Sequence, residues 1–384
     1  MNEIISRIEK HIWDDFENND SIGLLTGLSG VAMFYDSICN VYKNKIHQEK
    51  LFLVIEKINN LIAEKESLSS LCSGLAGFGW MLLKINNKNI QIDETYFNDL
   101  DAVLLEDLES QSKNDDYDFL HGSIGIAIYF IERHHQTKSD FIKSIIIRYS
   151  KRVISKIEND LESLLLVDDH TGKEKCIYFG LAHGVASVIN FLIILSENCK
   201  ELFGNVTPSL IKCIDFLNEY KNFDIESKQF YPNVYFANSK EVSAARLSWC
   251  QGDLGISNSL YNAAQFLSDE KLLEEAILLI NSTKCVKFEE SRVVDFGICH
   301  GTVGILIQYF IASPKFSIDF SDEIKYWYSI LERQTNNFNI FLSFNGFSFE
   351  NKTNLLSGSS GLGLCLLTLE NKINKDWLRC FNLF

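Results

Sequence analysis

Seven times along the chain the same short pattern returns: a glycine, two residues, a small residue, then an apolar run. The copies are GLSGVAMFY from Gly27, GLAGFGWML from Gly74, GSIGIAIYF from Gly122 and GVASVINFL from Gly184, then GDLGISNSL from Gly252, GTVGILIQY from Gly301 and GSSGLGLCL from Gly358. The fourth copy departs, with Ser187 where the second glycine would stand. First glycines are separated by 47, 48, 62, 68, 49 and 57 residues, too far for one helix and suited to a helical hairpin per repeat, with extra loop in the fourth interval.

The stretches between copies, such as IHQEKLFLVIEKINNLIAEK and SDFIKSIIIRYSKRVISKIEND, place apolar residues at three- and four-residue steps among Lys and Glu, the pattern of an amphipathic helix. The runs that follow each glycine pair are apolar on every side, as a fully covered inner helix would be. Paired glycines at its start let backbones approach closely and let the preceding loop take positive φ. We therefore expect an all-α protein, a double-layered α/α toroid of seven helical hairpins forming one domain over residues 1–384. Closing the ring buries the terminal repeats against each other and gathers every inner-helix start at one mouth. Only 3 prolines interrupt the chain, which favours long helices.

With 46% hydrophobic and 23% charged residues, disorder is excluded. The net charge of −15 argues against a nucleic-acid partner, which needs a basic face. The N-terminal MNEIISRIEKHIWDDFENND has no secretory character, so the 10 cysteines read as reduced thiols of a cytoplasmic protein, most of them buried. No apolar run reaches the ~18 residues of a membrane span.

Reactive residues fall into register with the repeat. Cys250 and Cys299 stand two positions before Gly252 and Gly301; His300, His183 and His121 stand one position before Gly301, Gly184 and Gly122; Asp118 stands four before Gly122. A toroid brings these turns together although the chain scatters them. Cys250, Cys299 and His300 form a soft donor set that suits zinc, and three protein ligands leave a fourth position open for substrate. Cys72 also stands two before its glycine, but the second repeat lies away from the fifth and sixth, so it reads as core. Tyr117 and Trp249 read as cavity walls, and His134-His135 as a solvated pair on a connector.

Trp249-Cys250-Gln251-Gly252, Cys299-His300-Gly301, Gly180-Leu181-Ala182-His183-Gly184 and the sevenfold glycine pattern together resemble the lanthionine synthetase C-like cyclases, over Gly23 to Leu367. The resemblance implies a toroid with one catalytic zinc per chain, held by Cys250, Cys299 and His300. The implied activity is Michael-type addition of peptide cysteine thiols to dehydroalanine or dehydrobutyrine, giving lanthionine or methyllanthionine rings. Its substrate would be a dehydrated precursor peptide, leader plus core, and its partners a dehydratase and an exporter that hold it at the inner face of the membrane.

In the same likeness His183 takes the acid–base role with Asp118 as its partner, and Arg246 orients the site or stabilises the developing enolate. The alternative for Asp118 is a helix N-cap; His121 is an alternative acid. Two departures bear on substrate fit: Gln251 stands where the family commonly has an aromatic, and Val185-Ala186-Ser187 follows the histidine where a Pro-Gly is usual. Other functions remain open: a relative that adds glutathione to dehydro residues, or a non-catalytic scaffold for a leader peptide. Prenyl transfer fits poorly, since its zinc site contains a carboxylate.

Overall fold

The computed structural model describes residues 3–65, 67–86, 88–168, 172, 174–199 and 203–384. Each glycine pattern opens an inner helix one residue after its first glycine. These are α2 (Leu28–Tyr42), α4 (Leu75–Ile85), α6 (Ser123–Thr137), α8 (Val185–Asn198), α10 (Asp253–Leu267), α13 (Thr302–Phe316) and α15 (Ser359–Leu369). Each packs on the next, and α15 packs back on α2, so the circle is closed. The outer layer comprises α3 (Lys45–Glu64), α5 (Glu94–Lys113), α7 (Asp140–Leu165), α9 (Phe203–Glu219), α11 (Glu270–Ser282) and α14 (Ser321–Gln334), each against the inner helix before it. The single turn α12 (Phe288–Ser291) follows α11.

The seventh outer helix comes from the other end of the chain: α1 (Glu3–Asp14) buries Ile5, Ile8 and Ile12 and packs against α15. The ring therefore joins the first and last elements, as closure requires.

Inner and outer helices are started differently. Four outer helices, α3, α5, α7 and α11, begin with side-chain caps: Asn44 accepts from Ile46 N at 3.0 Å, Asp93 from Thr95 N at 2.8 Å, Ser139 from Ile142 N at 3.4 Å, and Asp269 from Lys271 N and Leu272 N at 3.0 and 3.1 Å, whereas α14 follows Phe320 without one. Inner helices begin at a glycine with no side-chain cap. Their first free N–H groups bond instead to carbonyls of the preceding loop, seven residues back: Leu28 N to Ser21 O (2.8 Å), Leu75 N to Leu68 O (2.8 Å), Ser123 N to Asp116 O (3.0 Å), Thr302 N to Asp295 O (3.1 Å) and Ser359 N to Lys352 O (3.1 Å). The loop is folded onto the helix start, which leaves no room for a Cβ. A Cβ on Gly122 would strike the Asp116 carboxylate, and one on Gly77 would meet the Leu71 carbonyl and lie 2.7 Å from Leu24 Cβ.

Space is thus the reason for these glycines. The expected positive φ occurs only at Gly252 (φ 92°); the other first glycines are extended, from −101° at Gly122 to −145° at Gly27. Ser187, in the fourth copy, fits because its hydroxyl folds back onto Gly184 O at 2.7 Å.

The residues two before each first glycine tie neighbouring repeats together through their backbones. Leu25 N bonds to Cys72 O (2.9 Å), Cys72 N to Leu120 O (2.9 Å), Ala182 N to Cys250 O (3.5 Å), Cys250 N to Cys299 O (3.1 Å), Cys299 N to Leu356 O (3.0 Å) and Leu356 N to Leu25 O (2.8 Å). Among the described residues the one joint without such a bond lies between Leu120 and Ala182; Leu120 N turns instead to the Asp118 carboxylate at 3.0 Å.

Six short strands depart from the all-helical expectation. The antiparallel sheet β1 (Leu166–Asp168), β2 (Lys175–Tyr178), β3 (Val234–Phe236) and β4 (Val242–Ser243) pairs in that order, with Leu166 opposite Ile177 and Cys176 opposite Phe236. The extra length expected in the fourth interval is therefore shared with the third, and the two insertions meet in one sheet. A hairpin of β5 (Leu342–Phe344) and β6 (Phe349–Asn351) precedes the seventh repeat.

Candidate active site

Six of the residues singled out in the sequence stand on the mouth loops, and two groups of them meet. The first is a thiol pair. Cys250 and Cys299 are half-buried, Cys285 is exposed and the other seven cysteines are buried, so only these two thiols sit at the edge of a core. Their backbones are bonded directly, and the interaction between the two thiols lowers Cys250 and pushes Cys299 well up. The nearby His300 also favours the Cys250 thiolate. Two further donors reach that sulfur: Ser248 Oγ at 3.5 Å and Gln251 Nε2 at 3.9 Å. Gln251 in turn accepts from Arg246 N at 3.1 Å, so the residue that departs from the family pattern braces the loop around Cys250.

The second group is acid–base in character. His183 Nδ1 lies 2.8 Å from Asp118 Oδ2. The other oxygen of Asp118 accepts from Leu120 N (3.0 Å) and His121 N (2.7 Å). That turn-capping role recurs four residues before other first glycines: Ser70 Oγ accepts from Ser73 N at 3.1 Å, and Asn354 Oδ1 from Ser357 N at 2.9 Å. Asp118 therefore caps its loop with one oxygen, not the helix α6, and holds His183 with the other.

Burial works against charge in both members of this pair, and the ion pair overcomes it: His183 is raised above its usual value and Asp118 lowered below its own. His121 stacks on His183 with ring centroids 5.6 Å apart, and burial lowers it. The electrostatic influence of Cys250 reaches His183, which connects the two groups across the mouth. A cavity of about 490 Å³ opens beside the pair, lined among others by Asp118, His121, Tyr178 and His183.

Donor chemistry in the thiol group fits zinc: two neighbouring cysteines, Cys250 with its thiol lowered, and an imidazole within electrostatic reach of it. Among the described residues no three His, Cys, Asp or Glu side chains are drawn together at metal-binding distances, so His300 stands next to the thiol pair rather than converged with it. His300 Nε2 faces Asp295 Oδ2 at 3.7 Å.

Several expectations change. Cys72 is buried and within the core, as expected, yet it is not remote: its influence reaches Cys299, and that of Asp118 reaches it. Trp249 and Tyr117 are core residues rather than cavity walls, donating to Phe381 O (2.8 Å) and Ser112 O (3.2 Å). His134 is buried in the last turn of α6 with Nδ1 3.2 Å from Ser139 O, whereas His135 is exposed. Arg246 is half-buried, and its guanidinium makes no hydrogen bond or ion pair among the described residues. Asp295 was not foreseen; its position six before Gly301 was the available signal.

Comparison with known proteins agrees with this fold. A family profile described as lanthionine synthetase C-like protein matches residues 18–382. Among solved structures, nisin cyclase is similar at a TM-score of 0.79 and 22% sequence identity, over 100% of this chain and 98% of that one.

Proposed function

The chain belongs to the lanthionine synthetase C-like family, and from that premise we propose that it is a single-domain, zinc-dependent lanthipeptide cyclase. One zinc ion would be held by Cys250, Cys299 and His300, leaving a fourth position for the cysteine thiol of a dehydrated precursor peptide. The observation that carries the reading is the gathering, at one mouth, of two adjoining cysteines and a carboxylate-held histidine, with Cys250 within electrostatic reach of the histidine.

A free cysteine thiol, with a pKa near 8.5, is only a few per cent thiolate at neutral pH. Zinc, when bound, would deprotonate an incoming thiol. The peptide sulfur then adds to the β-carbon of dehydroalanine or dehydrobutyrine; a C–S bond forms, the C=C bond opens, and the electron pair passes to the adjoining carbonyl as an enolate. The α-carbon must next take a proton. His183, whose charged form Asp118 favours, would supply it from its free nitrogen, and the proton lost by the thiol would restore the histidine, so no atom is gained or lost. Asp118 fixes the ring and keeps the imidazolium charged. Arg246 would stabilise enolate charge from the same mouth. Partners, in this reading, are the precursor's leader, a dehydratase and an exporter; among the described residues no helix is long and apolar enough to cross a membrane.

The test is ring closure on a peptide carrying one dehydroalanine and one free cysteine, followed by loss of the thiol-alkylation site at unchanged mass. The account expects closure. Addition of free glutathione to the dehydroalanine without ring closure would transfer the chain to the glutathione-using reading, and binding with neither reaction would make it a scaffold.

A further inference from the structure

In the third to sixth repeats the residue six before the first glycine lies beside the residue one before it. In the third repeat Asp116 lies within electrostatic reach of His121; in the fourth the Tyr178 and His183 rings are 5.7 Å apart. In the fifth Arg246 N bonds to the Gln251 side chain at 3.1 Å, and in the sixth Asp295 Oδ2 is 3.7 Å from His300 Nε2. In the fourth and sixth repeats the contact is between side chains, whereas in the fifth it is made by the backbone of Arg246. In the sixth repeat the later side chain is the imidazole assigned to the metal.

Asp295 is fixed where it stands. Its side chain is 1% exposed. Its Oδ1 accepts from Gly297 N at 3.0 Å and its Oδ2 from Phe344 N, on β5, at 2.8 Å. Among the described residues its ion-pair partner is His300, 3.7 Å away, and a carboxylate removed from water favours a charged or hydrogen-bonded partner. A neutral imidazole carries one proton on one of two nitrogens; an acceptor beside Nε2 keeps the proton there and leaves the Nδ1 lone pair for a metal.

We propose that Asp295 is the positioning residue for His300, holding the Nε2–H tautomer and ring orientation in which Nδ1 is the metal donor. The assignment rests on the zinc reading above and adds to it a residue outside the three ligands. It also places the metal ligand one carboxylate away from the β5–β6 hairpin, through Phe344 N.

The experiment measures zinc affinity of the full-length chain by competition with a chromophoric chelator, together with the d–d absorption of the cobalt(II)-loaded protein. Asp295→Asn should weaken zinc binding 10–100-fold, as loss of such a partner does, and should alter the cobalt envelope. Asp116→Asn, the same loop position in the third repeat with the same turn (Oδ1 accepting Asp118 N at 3.4 Å) but no metal ligand, should leave both unchanged. Equal zinc affinity in wild type and Asp295→Asn overturns the assignment alone. So does an equal loss in Asp116→Asn, which would mean that loop folding is what both residues supply. If Asp295→Asn fails to fold, Asp295→Glu, which retains an acceptor, should fold and bind zinc more tightly than Asp295→Ala; equal affinity of those two overturns it as well. A wild type that takes up no zinc overturns the metal reading itself, and this with it.

Discussion

The mouth of the toroid has two halves built on one backbone. From the seventh repeat through the second, the residues one before the first glycine are Ser357, Thr26 and Ser73; from the third through the sixth they are His121, His183, Gln251 and His300. Loop carbonyls start the inner helices in both halves, and backbone bonds run between repeats in both. In the first half Ser73 bonds to Ser70 of its own loop. In the other half His183 reaches across to Asp118 of the neighbouring repeat, while Gln251 and His300 turn to Cys250 and Asp295 of their own loops. Scaffold and chemistry are thus separable: the ring dictates where a side chain points, and the identity of one or two residues per loop decides whether anything happens there. The one missing backbone joint, between Leu120 and Ala182, lies where Asp118 and His183 connect the third and fourth repeats by side chains instead.

The comparison breaks most visibly at His183. His183→Ala should fold and bind peptide and zinc as wild type does but close rings roughly 10²–10⁴-fold more slowly, the usual worth of a general acid. Ser73→Ala, at the equivalent position of the quiet half, should leave the rate within experimental error. Comparable rate losses in both would mean that the halves are not functionally distinct.

A smaller effect probes the shared scaffold. Gly77→Ala places a Cβ against the Leu71 carbonyl and Leu24, and should cost about 1–3 kcal/mol in a urea titration. Ser187→Gly, at the same register in the fourth repeat, removes a hydroxyl bond and adds chain entropy, and should cost about 1 kcal/mol or less. A harmless Gly77→Ala would show that close approach is not why glycine recurs.

The smallest shift is in the pH profile. His183 is raised above 6.5 by Asp118 against the pull of burial, so its acid form, and the stability drawn from the pair, are fully present below 6.5 and lost as pH rises through the raised value. Asp118 is lowered, so its share is present above 3.8 and lost as pH falls through its depressed value. Asp118→Asn should therefore move the alkaline limb of cyclisation to lower pH. A limb that stays in place would mean that another group, His121 among them, titrates there.

Much of this was legible in advance because the glycine pattern repeats often enough to be its own control. It located the start of each inner helix, the toroid, and the register that aligns Cys250, Cys299, His300, His183 and Asp118. Other features were hidden for physical reasons. Amphipathicity in α1 shows that the helix is half-buried, but not that it covers α15 at the far end of the sequence. Strands of two to four residues carry too little alternation to be seen, and β2 pairs with β3 from a different insertion. Asp295 and the reach between Cys72 and Cys299 follow from loops folding onto helix starts around a narrow ring, which spacing alone does not describe.

The central claim is that the reactive half is a metal centre and the quiet half is not. Elemental analysis of protein expressed in zinc-replete medium tests it most directly on wild type, Cys250→Ala and Cys72→Ala, with circular dichroism to verify folding. Wild type and Cys72→Ala should carry about one zinc per chain, whereas Cys250→Ala should be folded and carry none. Zinc absent from wild type, or retained in Cys250→Ala and lost from Cys72→Ala, would contradict the account.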